Sequence, residues 1–169
     1  DVTVAGVYAR GVLVSDATGK LLVYAGSAVD AAIGDVVTVE GKMGTYAGLR
    51  QVATPTVTKT GTTTYEHPAV EVLDGAAMDA YLAAPAVKYV EYTGTLTING
   101  YYYNVAVDGA STAVGSLAYV IEGTVDPALN GQKILVKGWT IGFSGEIYVN
   151  TMITSVTAAD GGSTEPTPE

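Results

Sequence analysis

Arg10, Lys20, Tyr24, Tyr46 and Arg50 are the residues best suited to holding a ligand. Aromatic faces stack bases and cations neutralise phosphates, so this set has the chemistry of an oligonucleotide surface. Later in the chain, Tyr102, Trp139 and Phe143 are candidate platforms for a planar or sugar-like group. Trp139 is the sole tryptophan, and its parity is opposite to that of Ile134 and Val136, which directs it away from its own strand's core face. It is expected to pack near Met78, Tyr81 or Leu82.

Reactive constellations are sparse. His67 is the only histidine and cysteine is absent, so no catalytic triad, thiolate nucleophile or His/Cys metal site can be assembled. Asp16-Ala17-Thr18-Gly19-Lys20 lacks the spacing of a phosphate loop and reads as a hairpin turn. Asp108 and Asp126 border turns without the ligand series of a Ca²⁺ loop. The expectation is no catalytic residue, no metal and no cofactor. A hydrolase with a carboxylate pair assembled in space is the second alternative.

The elements that must position these residues are strands. Val, Thr, Tyr and Gly are abundant, which favours strands and tight turns. One stretch occurs twice. Gly34-Asp35-Val36-Val37-Thr38-Val39-Glu40-Gly41 followed by Tyr46-Ala47-Gly48 is answered by Gly131 to Gly138 followed by Phe143-Ser144-Gly145. Each copy predicts a strand, a hairpin and a return. Around each copy, five strands are expected. Tyr101, Tyr103, Val105 and Val107 share parity, which predicts two inward tyrosines with Tyr102 outward. Between the copies, Asp74 to Ala83 predicts a short helix capped by Asp74 and stopped by Pro85. The helix is expected to close a barrel end or to lie between the copies. The resulting partition is 1–61, a first barrel; 62–87, a joint with the helix; 88–160, a second barrel; and 161–169, a polar, Pro-rich tail expected to be a linker or disordered.

The net charge of −9 is unevenly spread. Residues 1–61 hold five acids and five bases, 62–87 four acids and no base, and 88–160 six acids and three bases. A polyanion is a poor partner for such a chain, except through its neutral first copy.

Five strands per copy, with Gly6 and Gly94 inside the first, resemble the OB-fold family of Greek-key barrels. The resemblance rests on Val4 to Val7, Val14 to Tyr24 and Gly34 to Gly41, then on Tyr92 to Leu96 and Gly131 to Gly138. The ending Tyr148 to Val156 resembles OB-like modules of lipid-anchored surface proteins of gut anaerobic bacteria. It implies two five-stranded barrels in tandem, an all-β fold, and an exported protein at the cell surface or in the periplasm. Membrane attachment would come only through an anchor outside these residues. The expected function is a non-catalytic binding module for a glycan, peptide or protein. A single-stranded nucleic-acid-binding protein acting through the first barrel is the alternative. One departure from the family is expected: no helix between the third and fourth strands.

Overall fold

The computed structural model describes residues 1–159, so the expected tail lies outside the described residues. The chain forms two units, Asp1–Ala69 and the part from Val70 onward.

The first unit is a closed barrel of five strands: β1 (Val2–Tyr8), β2 (Gly11–Asp16), β3 (Gly19–Tyr24), β4 (Asp35–Tyr46) and β5 (Leu49–Thr62). The order around the barrel is β1-β2-β3-β5-β4, and β4 closes onto β1 through Val2↔Val37 and Thr3↔Val36. The β3–β5 pair is parallel, with Leu22↔Gln51 and Tyr24↔Ala53. The Greek-key order requires this, so a wholly antiparallel barrel is not what forms. Valines at alternating positions build the core: Val4, Val12, Val14, Val23, Val37 and Val52. β-branched side chains suit these pleated, half-buried surfaces. At the β2–β3 turn, the Asp16 carboxylate accepts from the Thr18 amide at 2.7 Å and the Thr18 hydroxyl at 2.6 Å.

The second unit repeats the plan with β7 (Lys88–Asn99), β8 (Tyr102–Val107), β9 (Val114–Leu117), β10 (Lys133–Ser144) and β11 (Tyr148–Ala158). Strand β10 pairs with both β11 and β7, closing the barrel, and β11 runs parallel to β9. Both units fit an OB-like fold. The short strand β6 (Glu71–Val72) joins β7 in parallel.

Helix α1 (Gly75–Tyr81) begins where expected. The Asp74 carboxylate caps it by accepting from the Ala77 amide at 2.8 Å. Its Met78 and Tyr81 are buried in the same cluster as Val90, Tyr92, Leu96, Ile134 and Val136. The helix therefore belongs to the second barrel's core. The 3₁₀ turn η1 (Pro127–Leu129) stands between β9 and β10, capped by Asp126, which accepts from the Ala128 amide at 2.9 Å. This turn occupies the connection where no helix was expected.

The repeated glycines have a packing reason. A Cβ on Gly138 would lie 2.3 Å from the Met152 carbonyl oxygen. One on Gly41 would lie 2.5 Å from Val52 Cγ1 and 2.8 Å from the Ala53 carbonyl oxygen. Both glycines sit at register shifts, Glu40/Lys42 in the β4–β5 pair and Lys137/Gly138 in the β10–β11 pair. Such bulges bend a strand around a small barrel.

Candidate nucleic-acid interface

The longest hairpin of the first unit supplies the candidate site. Strands β4 and β5 stay paired to their tip through Lys42↔Ala53, Met43↔Val52, Gly44↔Gln51, Thr45↔Arg50 and Tyr46↔Leu49. Ala47 and Gly48, with φ of 56° and 85°, make the two-residue loop. Both central residues of a type I′ turn need positive φ, and this turn matches strand twist. Pairing of β4 with β1 is confined to Val2↔Val37 and Thr3↔Val36, and residues 40–46 are exposed throughout. Gln51 to Ala53 of β5 also pair with β3, so residues 45–50 form the two-stranded tip and Lys42 and Met43 lie on the exposed β4 edge at its root.

Directly paired residues share a face and faces alternate, so the register sorts the side chains. Lys42, Tyr46 and Leu49 lie on one face; Met43, Thr45 and Arg50 lie on the other, in line with the buried Val52. Tyr24 pairs in parallel with Ala53, which places it at the root of the Lys42–Tyr46 face. Tyr46 is 60% exposed and Met43 49%. Arg10 lies in the β1–β2 turn beside the end of β3, where its carbonyl accepts from the Ala25 and Gly26 amides at 2.8 and 3.1 Å. The structure brings Tyr24 and Tyr46 to one face, with Arg50 behind them. Arg10 stands at the barrel end of the same ribbon.

Sequence reasoning missed Lys42 and Met43, and it also missed a simple signal. From Gly41 to Tyr65 there is no acidic residue, while Lys42, Arg50 and Lys59 fall in that run. Lys59 is committed to Asp35 at 3.1 Å. The Ala32 amide and then Lys59 hold the Asp35 carboxyl below its ordinary range. Lys42 and Arg50 carry exposed charge in the part of the hairpin beyond Glu40, where no acid occurs.

The remaining candidates disperse. Tyr102 is 70% exposed at the start of β8, far along the chain on the second barrel. Phe143 is half-buried opposite Val149. Trp139 leaves its strand's core face as parity indicated. It pairs with Tyr89 and Met152, and its ring lies 5.1 Å from that of Tyr89. At 1% exposure it is buried, not presented to solvent as a platform. The expected neighbours Met78 and Tyr81 lie instead in the barrel core cluster, of which Trp139 is not a member. Tyr101, expected inward, precedes β8 in the hairpin turn and is 97% exposed.

Several acids are engaged structurally. Asp79, on helix α1, accepts from the amides of Ser111, Thr112 and Ala113 at 2.9, 2.9 and 2.7 Å and from the Ser111 hydroxyl at 2.9 Å. The Ala113, Ser111 and Thr112 amides hold its carboxyl far below the usual range. Asp108 pairs with Lys133 at 2.9 Å, and Glu71 with Lys88 at 3.5 Å. Burial pushes the His67 imidazole down from its ordinary value, and its ring meets that of Tyr65 edge-on at 5.4 Å.

No family model matches the chain. No curated protein matches it significantly. Solved structures similar to the chain include two of described content. One, described as a murine DNA-binding protein bound to double-stranded DNA, shares 12% identity at a TM-score of 0.45 over 99% of this chain and 97% of that one. The other, described as structural mimicry for functional antagonism, shares 12% identity at a TM-score of 0.41 over 83% of this chain and 76% of that one. Similarity of this order carries no inference about a ligand, and neither description speaks of a lipid-anchored surface protein.

Proposed function

We propose that this chain is a non-catalytic binding protein whose first barrel engages single-stranded nucleic acid along the β4–β5 hairpin. The observation that carries this reading is the exposed, acid-free ribbon holding Lys42, Met43, Tyr46 and Arg50. Tyr46 offers a face for a base, and Lys42 and Arg50 lie on opposite faces of the ribbon, within reach of flanking phosphates. Binding is weak and salt-sensitive, because few cations contribute and the chain as a whole is acidic.

Fluorescence anisotropy of a labelled oligothymidylate tests it. For single strands the slope of log affinity against log salt is about −0.7 per phosphate neutralised, so two cations give about −1.4. Lys42→Ala with Arg50→Ala should abolish binding, and Tyr46→Ala should cost about 1–3 kcal/mol of stacking. Absence of binding at low salt, or binding indifferent to the double substitution, would overturn the proposal. A labelled duplex in the same titration separates single-strand from duplex preference.

The acidity of the second unit favours a second reading, an exported module for an uncharged glycan, a peptide or a protein. From Val70 onward there are eleven acids against three bases, compared with six against five in residues 1–69. Under that reading the oligonucleotide titration is flat at every salt concentration.

A further inference from the structure

A second surface lies on the second barrel and does not depend on the hairpin of the first. Three segments meet at one end of that barrel. The β7–β8 turn presents Tyr101 and Tyr102; β9 leads into Tyr119, Val120 and Ile121; and η1 follows. Asn104 pairs with Ser116, so the residues before β8 and after β9 leave the sheet side by side. Adjacent strands lie ~4.8 Å apart. The Asn130 side chain accepts from the Ile98 amide at 2.9 Å, and the Gly131 amide donates to the Leu96 carbonyl at 2.7 Å, which ties the third segment to the same end.

Inward and outward positions separate cleanly here. Ile98, Tyr103, Val120 and Leu129 pack against the core. Tyr101 is 97% exposed, Tyr102 70%, Tyr119 46% and Ile121 39%. Half of the exposed large apolar side chains of the described residues are therefore gathered at one barrel end. Exposed apolar surface gathered in this way marks an interaction site.

The segments that form this end, residues 100–102 and 118–131, hold Glu122 and Asp126 and no Lys or Arg. Glu91 and Asp108 lie toward the opposite ends of β7 and β8. Asp108 is paired with Lys133 and Asp126 caps η1, while Glu122 follows Ile121 directly. Tyrosine faces attract guanidinium and ammonium groups. An acidic field draws in a basic partner and repels a polyanion. Tyrosine is also enriched where proteins dock.

We infer that the Tyr101–Tyr102 tip, with Ile121 and Glu122, is a docking surface for a partner protein that presents an Arg- or Lys-rich segment. The inference rests on charge complementarity with exposed aromatic faces, and it stands whether or not the hairpin binds nucleic acid.

The probe is a fluorescein-labelled nona-arginine peptide, titrated against the full chain and followed by anisotropy. Saturable binding is expected. Tyr101→Ala with Tyr102→Ala should weaken it about tenfold, the effect of two exposed cation–π contacts. Glu122→Gln should weaken it less, and Lys42→Ala with Arg50→Ala should not weaken it. The exposure of both tyrosines keeps the fold intact, which an unchanged Trp139 emission checks. Three results would each overturn the inference. The first is no binding. The second is binding indifferent to the tyrosine pair, which would mean diffuse attraction to an acidic chain. The third is retardation in gels containing a neutral polysaccharide that the double tyrosine substitution abolishes, which would assign the tip to glycans.

Discussion

A double-mutant cycle on Tyr92 and Thr151 tests how the second barrel is held together. Tyr92 is 1% exposed and Thr151 0%, and their hydroxyl oxygens lie 2.8 Å apart. Tyr92→Phe strands the Thr151 hydroxyl, and Thr151→Val strands that of Tyr92. Leaving a buried hydroxyl unpaired costs about 1–3 kcal/mol. Removing both partners leaves nothing unpaired, so the double substitution should cost at least ~1 kcal/mol less than the sum of the singles. Urea unfolding followed by Trp139 fluorescence reads this barrel directly, since Trp139 pairs with Tyr89 on β7 and Met152 on β11. Additivity within about 0.5 kcal/mol would refute the claim that these hydroxyls satisfy each other. The pair also has an alkaline signature. Burial pushes the Tyr92 phenol above its ordinary value of 10.0, against the opposing effect of Thr151. The folded state therefore holds that proton more tightly than the unfolded state does. Its contribution to stability is full below pH about 10 and falls as the pH rises beyond it. Tyr92→Phe should shrink that alkaline loss. Tyr81, raised by burial for the same reason, keeps part of it.

Two further outcomes follow from the packing. The Asp79 carboxyl is held below its unfolded value, so its contribution is present above pH about 4 and is lost as the pH falls through the folded-state value. Asp79→Ala should abolish hydrogen-exchange protection at Ser111, Thr112 and Ala113 at neutral pH while β7 and β10 keep theirs; unchanged protection would show that the clasp does not hold the loop. Gly138→Ala drives a Cβ to 2.3 Å from the Met152 carbonyl and should cost about 1–3 kcal/mol in urea unfolding. Gly44→Ala meets no atom within 4 Å and should stay within about ±0.5 kcal/mol.

Much of the fold was legible because its signals are local. Alternating valines, the Asp16–Gly19 turn and the Asp74 cap each act over a few residues, and the twofold Gly34/Gly131 pattern revealed the repeat. What was not legible depends on partners distant in sequence. The parallel β3–β5 and β9–β11 pairs come from the Greek-key crossing, which no local turn specifies. Helix α1 carries an apolar stripe that says it is buried without saying against what; contacts with residues such as Val90 and Ile134 assign it to the second barrel. Tyr101 was misread because parity counts from a strand, and here the strand starts one residue later.

The candidate site was half visible. Tyr46 and Arg50 were identifiable by type, but their placement on opposite faces follows from the Thr45↔Arg50 and Tyr46↔Leu49 register. Lys42 was hidden behind the overall charge balance of residues 1–61, because the acids lie before Gly41 and three of the five bases after it. Charge counted by domain averaged out a difference that matters on the scale of one hairpin. Trp139 shows the converse. Its departure from the core face was read correctly, but departure from one core does not mean exposure to water.

The proposed meeting of the β4–β5 hairpin with nucleic acid is open to amide chemical-shift mapping during an oligothymidylate titration at low salt. Shift changes should concentrate in residues 42–50 and at Tyr24, disappear together on raising the salt, and be absent from Lys42→Ala with Arg50→Ala. A titration that leaves residues 42–50 unmoved, or that moves the second barrel instead, would contradict it.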